Sequence, residues 1–192
     1  MAPADARSLA ELTRSYFGET LSMDEVFARV ELVVLPASSV TEADTTLWVG
    51  SVGYERHKDH RAFAQHLSDA GVERLVDVRE LPISRRPGYA KTALTQAMVE
   101  VGIEYVHIKA LGNPKPYRDL YKSGRINEGR RCYEHYLLTE GREALINLVP
   151  LLRDKRSALM CVEHDPTTCH RTVIVEALSD ELGIALDVAQ IS

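Results

Sequence analysis

Five short segments of the 192-residue chain are rich in apolar and β-branched residues: TLWVGSV (46–52), RLVDV (74–78), EYVHI (104–108), ALMCV (158–162) and ALDVAQI (185–191). Each is bounded by a breaker such as Gly53, Pro82, Gly112 or Pro166, which marks them as strands. Between them the apolar spacing lengthens to that of a helix. RAFAQHLSDAG puts Phe63, Ala64 and Leu67 on one face and stops at Gly71, and KTALTQAMVEVG groups Leu94, Ala97, Met98 and Val101 before Gly102. REALINLVPLLR keeps the helical period despite Pro150, and RTVIVEALSDELG runs from Arg171 to Gly183. Strands joined through helices pair in parallel, with the helices lying on the sheet faces. The expected fold is a Rossmann-like three-layer α/β sandwich with a mostly parallel sheet of about five strands, forming a single domain over 46–192.

Two regions break the rhythm. Residues 1–45 carry helical stretches and are expected to be a largely helical N-terminal extension. The segment LGNPKPYRDLYKSGRINEGRRCYEHY (111–136) is rich in Gly, Pro, Tyr and basic residues and is expected to be an irregular, functional insertion.

The apolar content of 45% and charged content of 27% are those of a soluble globular chain. The longest apolar runs, ELVVLP and ALMCV, are far too short to span a bilayer, and the first residues lack the order of a secretory signal. A cytoplasmic protein with no membrane partner is expected. Three cysteines, Cys132, Cys161 and Cys169, then read as free thiols rather than a disulfide framework. The net charge of −5 argues against indiscriminate coating of nucleic acid, yet 79–131 holds eleven Lys/Arg against five acids. A basic region on an acidic body suggests an anion bound at one place.

In an open parallel sheet, ligands bind beyond the carboxyl ends of the strands. Gly53, Tyr54 and Glu55 follow the first strand there. Asp77, Arg79, Arg85 and Arg86 follow the second, and Lys109, Gly112 and Asn113 the third. CVEHDPTTCHR (161–171) follows the fourth and leads into a helix. Arg171 beside a helix start suits a phosphate or carboxylate, and a thiol there, Cys169, gains thiolate character. His170 and Glu163 are candidates for the general acid and base. Cys161, Cys169 and His170 are also possible ligands of a soft metal, although no CxxC or HExxH spacing supports this. A loop phosphatase needs five residues between cysteine and arginine, and neither cysteine is so placed relative to Arg171. LVDVRE followed by a strand, a cysteine and a helix resembles the layout of rhodaneses, but the loop carries Pro166 and no glycine. Tyr89, Tyr117 and Tyr121, interleaved with Arg86, Lys91, Arg118, Lys122 and Arg125, suggest a surface for nucleotide or single-stranded nucleic acid.

VGYER, LVDVRELPISRRPGYAKTAL, GIEYVHIKALGNP and LMCVEHDPTTCHR together resemble the family of the domain of unknown function numbered 488, over about 46–192. The resemblance implies a small α/β domain and points to Asp77, Arg79, Pro82, Ser84, Arg85, Gly112, Cys161, Glu163, Cys169, His170 and Arg171 as a site, with no chemical role attached. The expectation is an enzyme acting on a phosphate-bearing ligand, a nucleotide or a nucleic-acid end. Arg79, Arg85 and Arg171 would hold the anion, with Tyr54, Asp77 and Gly112 around it, and Cys169, His170 and Glu163 would do the chemistry. The alternatives are a non-catalytic nucleic-acid or nucleotide-binding module and a protein with a structural Cys/His metal site. The residues name no cofactor and no oligomeric state.

Overall fold

The five segments form the strands β1 (Leu47–Gly53), β2 (Arg74–Asp77), β3 (Glu104–His107), β4 (Ser157–Cys161) and β5 (Leu186–Ile191) of one sheet. The computed structural model describes residues 46–192, so the extension expected over 1–45 lies outside the described residues. The sheet is entirely parallel, in the order β3-β2-β4-β1-β5. Helix α1 (His60–Asp69) connects β1 to β2, and α2 (Lys91–Glu100) connects β2 to β3. Three helices, α3 (Lys115–Lys122), α4 (Ile126–Leu138) and α5 (Arg142–Asp154), lead from β3 to β4, and α6 (His170–Asp180) leads to β5.

Because side chains alternate across a strand, the sheet feeds two cores. On one face Val52, Leu75 and Met160 pack against Phe63, Ala64 and Leu67 of α1 and Leu94, Ala97 and Met98 of α2. On the other, Val49, Val76, Val78 and Leu159 meet Tyr133 and Leu137 of α4, Leu145, Leu148 and Leu152 of α5, and Val173, Ile174 and Leu178 of α6. The three-layer sandwich read from the sequence is the observed fold. Each large apolar side chain so buried contributes about 1.5–3 kcal/mol against exposure, and Phe63, Leu67, Leu75, Leu94 and Leu148 are all fully covered.

The segment 111–136 is a correction. It is largely helical, holding α3 and all but the last two residues of α4, with Gly124 at φ +80° between them. Its prolines are helix punctuation: Pro114 is the residue before α3, and a second proline, Pro116, lies in its first turn, where a missing N–H costs nothing. Among the described residues no helix is long and apolar enough to cross a membrane.

This topology opens a crevice. The chain leaves β2 toward α2 on one face and leaves the adjacent β4 toward α6 on the other, so their carboxyl ends part.

Candidate functional site

A cavity of about 440 Å³ lies at that crevice, lined by residues that follow β2 (Arg79 to Ile83), β3 (Asn113 to Ile126) and β4 (Cys161 to His170). Two glycines let the loops close around it. A Cβ on Gly53 would stand 1.8 Å from the carbonyl oxygen of Glu163, so only glycine lets the loop after β4 cross the end of β1. A Cβ on Gly112 would stand 2.2 Å from Cα of Glu80, so the loop after β3 lies directly on the loop after β2.

Cys161, the last residue of β4, and Cys169 and His170, at the start of α6, are buried against the cavity, and the half-buried Glu163 lines it beside them. One ligand atom from each of the four lies within 4.8 Å of the others. His170 Nδ1 is 3.7 Å from Cys161 Sγ and 3.8 Å from Cys169 Sγ, and the Cys169 thiol points at Glu163 Oε2 at 3.3 Å. The other ring nitrogen, His170 Nε2, is 2.8 Å from the carbonyl oxygen of Val78. A carbonyl only accepts, so Nε2 carries the hydrogen and, in the neutral ring, Nδ1 presents a lone pair to both thiols.

The electrostatics of the cluster follow from its burial. Burial pushes the Cys169 thiol well above its ordinary pKa, and the nearby Cys161 adds to this. The expected low-pKa thiolate is therefore a correction: the helix start and Arg171 do not offset the loss of water. Burial alone would lower the pKa of His170, but Cys169, the bond to Val78 and Glu163 favour its charged form, and the net shift is upward. Burial works against the Glu163 carboxylate, yet hydrogen bonds from Cys161 and its own backbone, with His170 nearby, hold its pKa below the usual range.

Two of the three arginines assigned to the anion, Arg79 and Arg171, tie the fold together. Arg79 is buried, and its guanidinium pairs with Asp77 through Nε (2.8 Å) and Nη2 (2.6 Å) and donates from Nη1 to Tyr54 Oη and the Tyr89 carbonyl. Tyr105 Oη donates to the same Asp77 carboxylate at 2.5 Å. Arg171 is fully buried and donates to the carbonyls of Val52 and Glu163, tying the loop after β4 to β1. Asp77 and Arg79 are thus committed chiefly to each other, although Arg79 lines the cavity, and Arg171 is held by backbone carbonyls with only its Nε left without a partner. Tyr54 is buried and stacks on Tyr89 with ring centroids 4.5 Å apart, and Gly112 acts through its lack of a side chain. Arg85 is exposed and does not line the cavity. Of the tyrosines read as a stacking surface, Tyr89 is fully buried, Tyr117 of α3 packs on Tyr136 of α4, and Tyr121 lines the cavity.

What the cavity offers in their place is partly unpartnered. Asn113 is buried and its Oδ1 has no hydrogen-bond partner, and Tyr121 Oη has none either. Burial raises the Tyr121 pKa to about 12, so the phenol is neutral. Lys122 is exposed on the lining, and Arg118 is held there by Glu80 at 2.8 Å. Leu81, Ile83, Ile126 and Val162 supply apolar wall. The signal for this wall was present in the sequence: Leu81 and Ile83 are apolar residues in an otherwise polar loop.

The family model described as Domain of unknown function DUF488 matches residues 59–178, well over half the chain. The chain belongs to this family. No curated protein and no solved structure matches it. The DUF488 match runs from the start of α1 to the last turn of α6, and so takes in every residue that lines the cavity.

Proposed function

We propose that the protein is an enzyme acting on a phosphate-bearing small molecule of nucleotide type, held in the cavity against Cys161, Glu163, Cys169 and His170. One observation carries this reading: the four reactive groups line the same cavity as the unpartnered polar atoms of Asn113 and Tyr121. A buried acceptor without a partner costs about 1–3 kcal/mol, and a guest that donates to Asn113 Oδ1 recovers it. The volume falls within the range of about 300–1,000 Å³ typical of small-molecule sites. Lys122 supplies positive charge for a phosphate, and the apolar wall suits the flat face of a base. A single-stranded nucleic-acid platform is less well supported, because Tyr89 is fully buried and Tyr117 packs against Tyr136, which leaves Tyr121 as the one ring of the three on the cavity lining.

The test is a thermal-shift panel of inorganic phosphate, nucleoside mono-, di- and triphosphates and short oligonucleotides, followed by chromatography of whatever binds after incubation. At least one mononucleotide is expected to raise the melting temperature and to be converted. Lys122→Ala and Asn113→Ala should each weaken its binding about tenfold, or about 1.4 kcal/mol. Glu163→Gln should bind it without turnover. A panel in which no phosphate compound binds, or binding indifferent to both Lys122 and Asn113, defeats the reading.

A further inference from the structure

Among the described residues, one cluster has the donor atoms and spacing of a metal centre, and it stands where the cavity reaches the protein interior. A tetrahedral zinc with bonds of about 2.3 Å to sulfur and about 2.0–2.1 Å to nitrogen sets its donor atoms about 3.5–3.8 Å apart. Nδ1 of His170 lies 3.7 Å from Cys161 Sγ and 3.8 Å from Cys169 Sγ. The imidazole is also oriented as a ligand requires, its Nε2–H fixed by the Val78 carbonyl at 2.8 Å so that Nδ1 faces both sulfurs. That carbonyl follows β2, while Cys161 ends β4 and His170 begins α6, so the geometry is set by the sheet rather than by a mobile loop. Both cysteines are free thiols. A thiolate pair with one imidazole is the donor set of a borderline-soft divalent cation.

Structural zinc sites close with four protein ligands, whereas catalytic ones keep three and leave a position for water. Here the fourth group, Glu163, points at Cys169 Sγ and also lines the cavity. We infer that Cys161, Cys169 and His170 hold a zinc-type divalent cation whose fourth position opens to the cavity, with Glu163 as the proton acceptor for a water bound there. The reaction this arrangement serves is hydrolysis. Glu163 takes a proton from the bound water, and the hydroxide forms a bond to the electrophilic atom of the substrate. The bond to the leaving group then breaks with its electron pair, and Glu163 returns the proton to that group. No oxidant or reductant is involved. The cation's binding stands without the nucleotide reading, and only the open position rests on the cavity being a substrate site.

The test is metal analysis of the purified full chain and its reconstitution with cobalt(II). About one zinc per chain is expected. The cobalt form should show thiolate-to-metal charge transfer in the near ultraviolet and intense tetrahedral bands in the visible. Cys161→Ser, Cys169→Ser and His170→Ala should each bring metal content to background, with circular dichroism reporting whether the fold persists. Glu163→Gln should keep one metal per chain and the wild-type cobalt bands, and azide or inorganic phosphate should shift those bands in both proteins. Wild-type protein that binds neither zinc nor cobalt, or that carries a Cys161–Cys169 disulfide instead, overturns the site. Loss of metal in Glu163→Gln, or cobalt bands that no added anion moves, overturns the open position and leaves a closed structural centre. In neither case is the phosphate-compound panel affected, so the two proposals fail separately.

Discussion

Asp77 and Arg79 show how far a residue's role departs from its position. They stand two apart at the end of β2, and the alternation in LVDVRE puts both side chains on the same face without showing that they pair. Removing one partner of such a buried pair leaves the other charge uncompensated, at a cost of about 3–5 kcal/mol. Arg79→Ala should therefore lose about that much stability in urea unfolding, while Asp77→Asn with Arg79→Met should lose less, because no lone charge remains inside. Gly53 is the second sensitive position. Gly53→Ala brings a methyl group into the Glu163 carbonyl, and overpacking of this kind costs about 1–3 kcal/mol. Its effect on stability should be accompanied by loss of whatever the Cys161–His170 cluster binds, whereas Gly102→Ala, in open space at φ +78°, should strain only its own turn. The cluster itself was legible, because a strand end and a helix start are predictable and both carry its donors. The commitments of Arg79 and Arg171 were not, since their partners are backbone carbonyls and a carboxylate whose direction the spacing alone leaves open.

At the scale of elements, all five strands and four of the helices were legible from apolar period and breakers. Helices α3 and α4 were hidden because Pro114, Pro116 and Gly124 read as loop composition, whereas they mark helix boundaries. The strand order was also beyond the sequence, as it is set by which face each helix covers. One polar junction ties these elements together: Arg74 of β2 donates to Glu104 of β3 (2.9 Å) and Asp154 of α5 (2.7 Å), and Lys155 reaches Glu104 at 2.7 Å. Hydrogen bonds from Lys155 and Arg74 hold the Glu104 carboxyl below its ordinary pKa. A folded pKa below the unfolded one, about 4.3 for glutamate, gives stability that is complete above the unfolded value and is lost as pH falls through the folded value. Glu104 is partly exposed, so the contribution is a few tenths to about 1 kcal/mol. Glu104→Gln should lower stability at pH 7 by that amount, and the difference from wild type should shrink as pH drops below about 4. Urea midpoints measured from pH 3 to 7 check this, and a difference that stays constant across the range would contradict it.

For the whole molecule, the basic stretch 79–131 proves to be distributed among local duties rather than gathered into one surface. Arg79 serves Asp77, Arg118 serves Glu80, Lys115 serves Asp119, Arg125 serves Glu128 and Arg130 serves Glu176. Selectivity for an anion then depends on few charges, chiefly Lys122 and any cation held by the Cys161–Cys169–His170 group. Such a cation would join the end of β4 to the start of α6 and, through His170 and Val78, to the end of β2, so its removal loosens the centre of the sheet. Binding to the native state alone stabilises by about 2.7 kcal/mol at a free metal concentration of one hundred times Kd. For a domain of this size each kcal/mol moves the melting temperature by about 2–4 °C. Chelator-treated protein should therefore melt about 5–11 °C lower than the zinc form, with full recovery on adding zinc back and none on adding magnesium, which prefers oxygen ligands. In Cys169→Ser the zinc-dependent increment should vanish. A melting temperature indifferent to chelation and zinc in the wild-type chain would mean that the sheet's carboxyl edge is held by Arg171 and the glycine-mediated loop contacts without help from an ion.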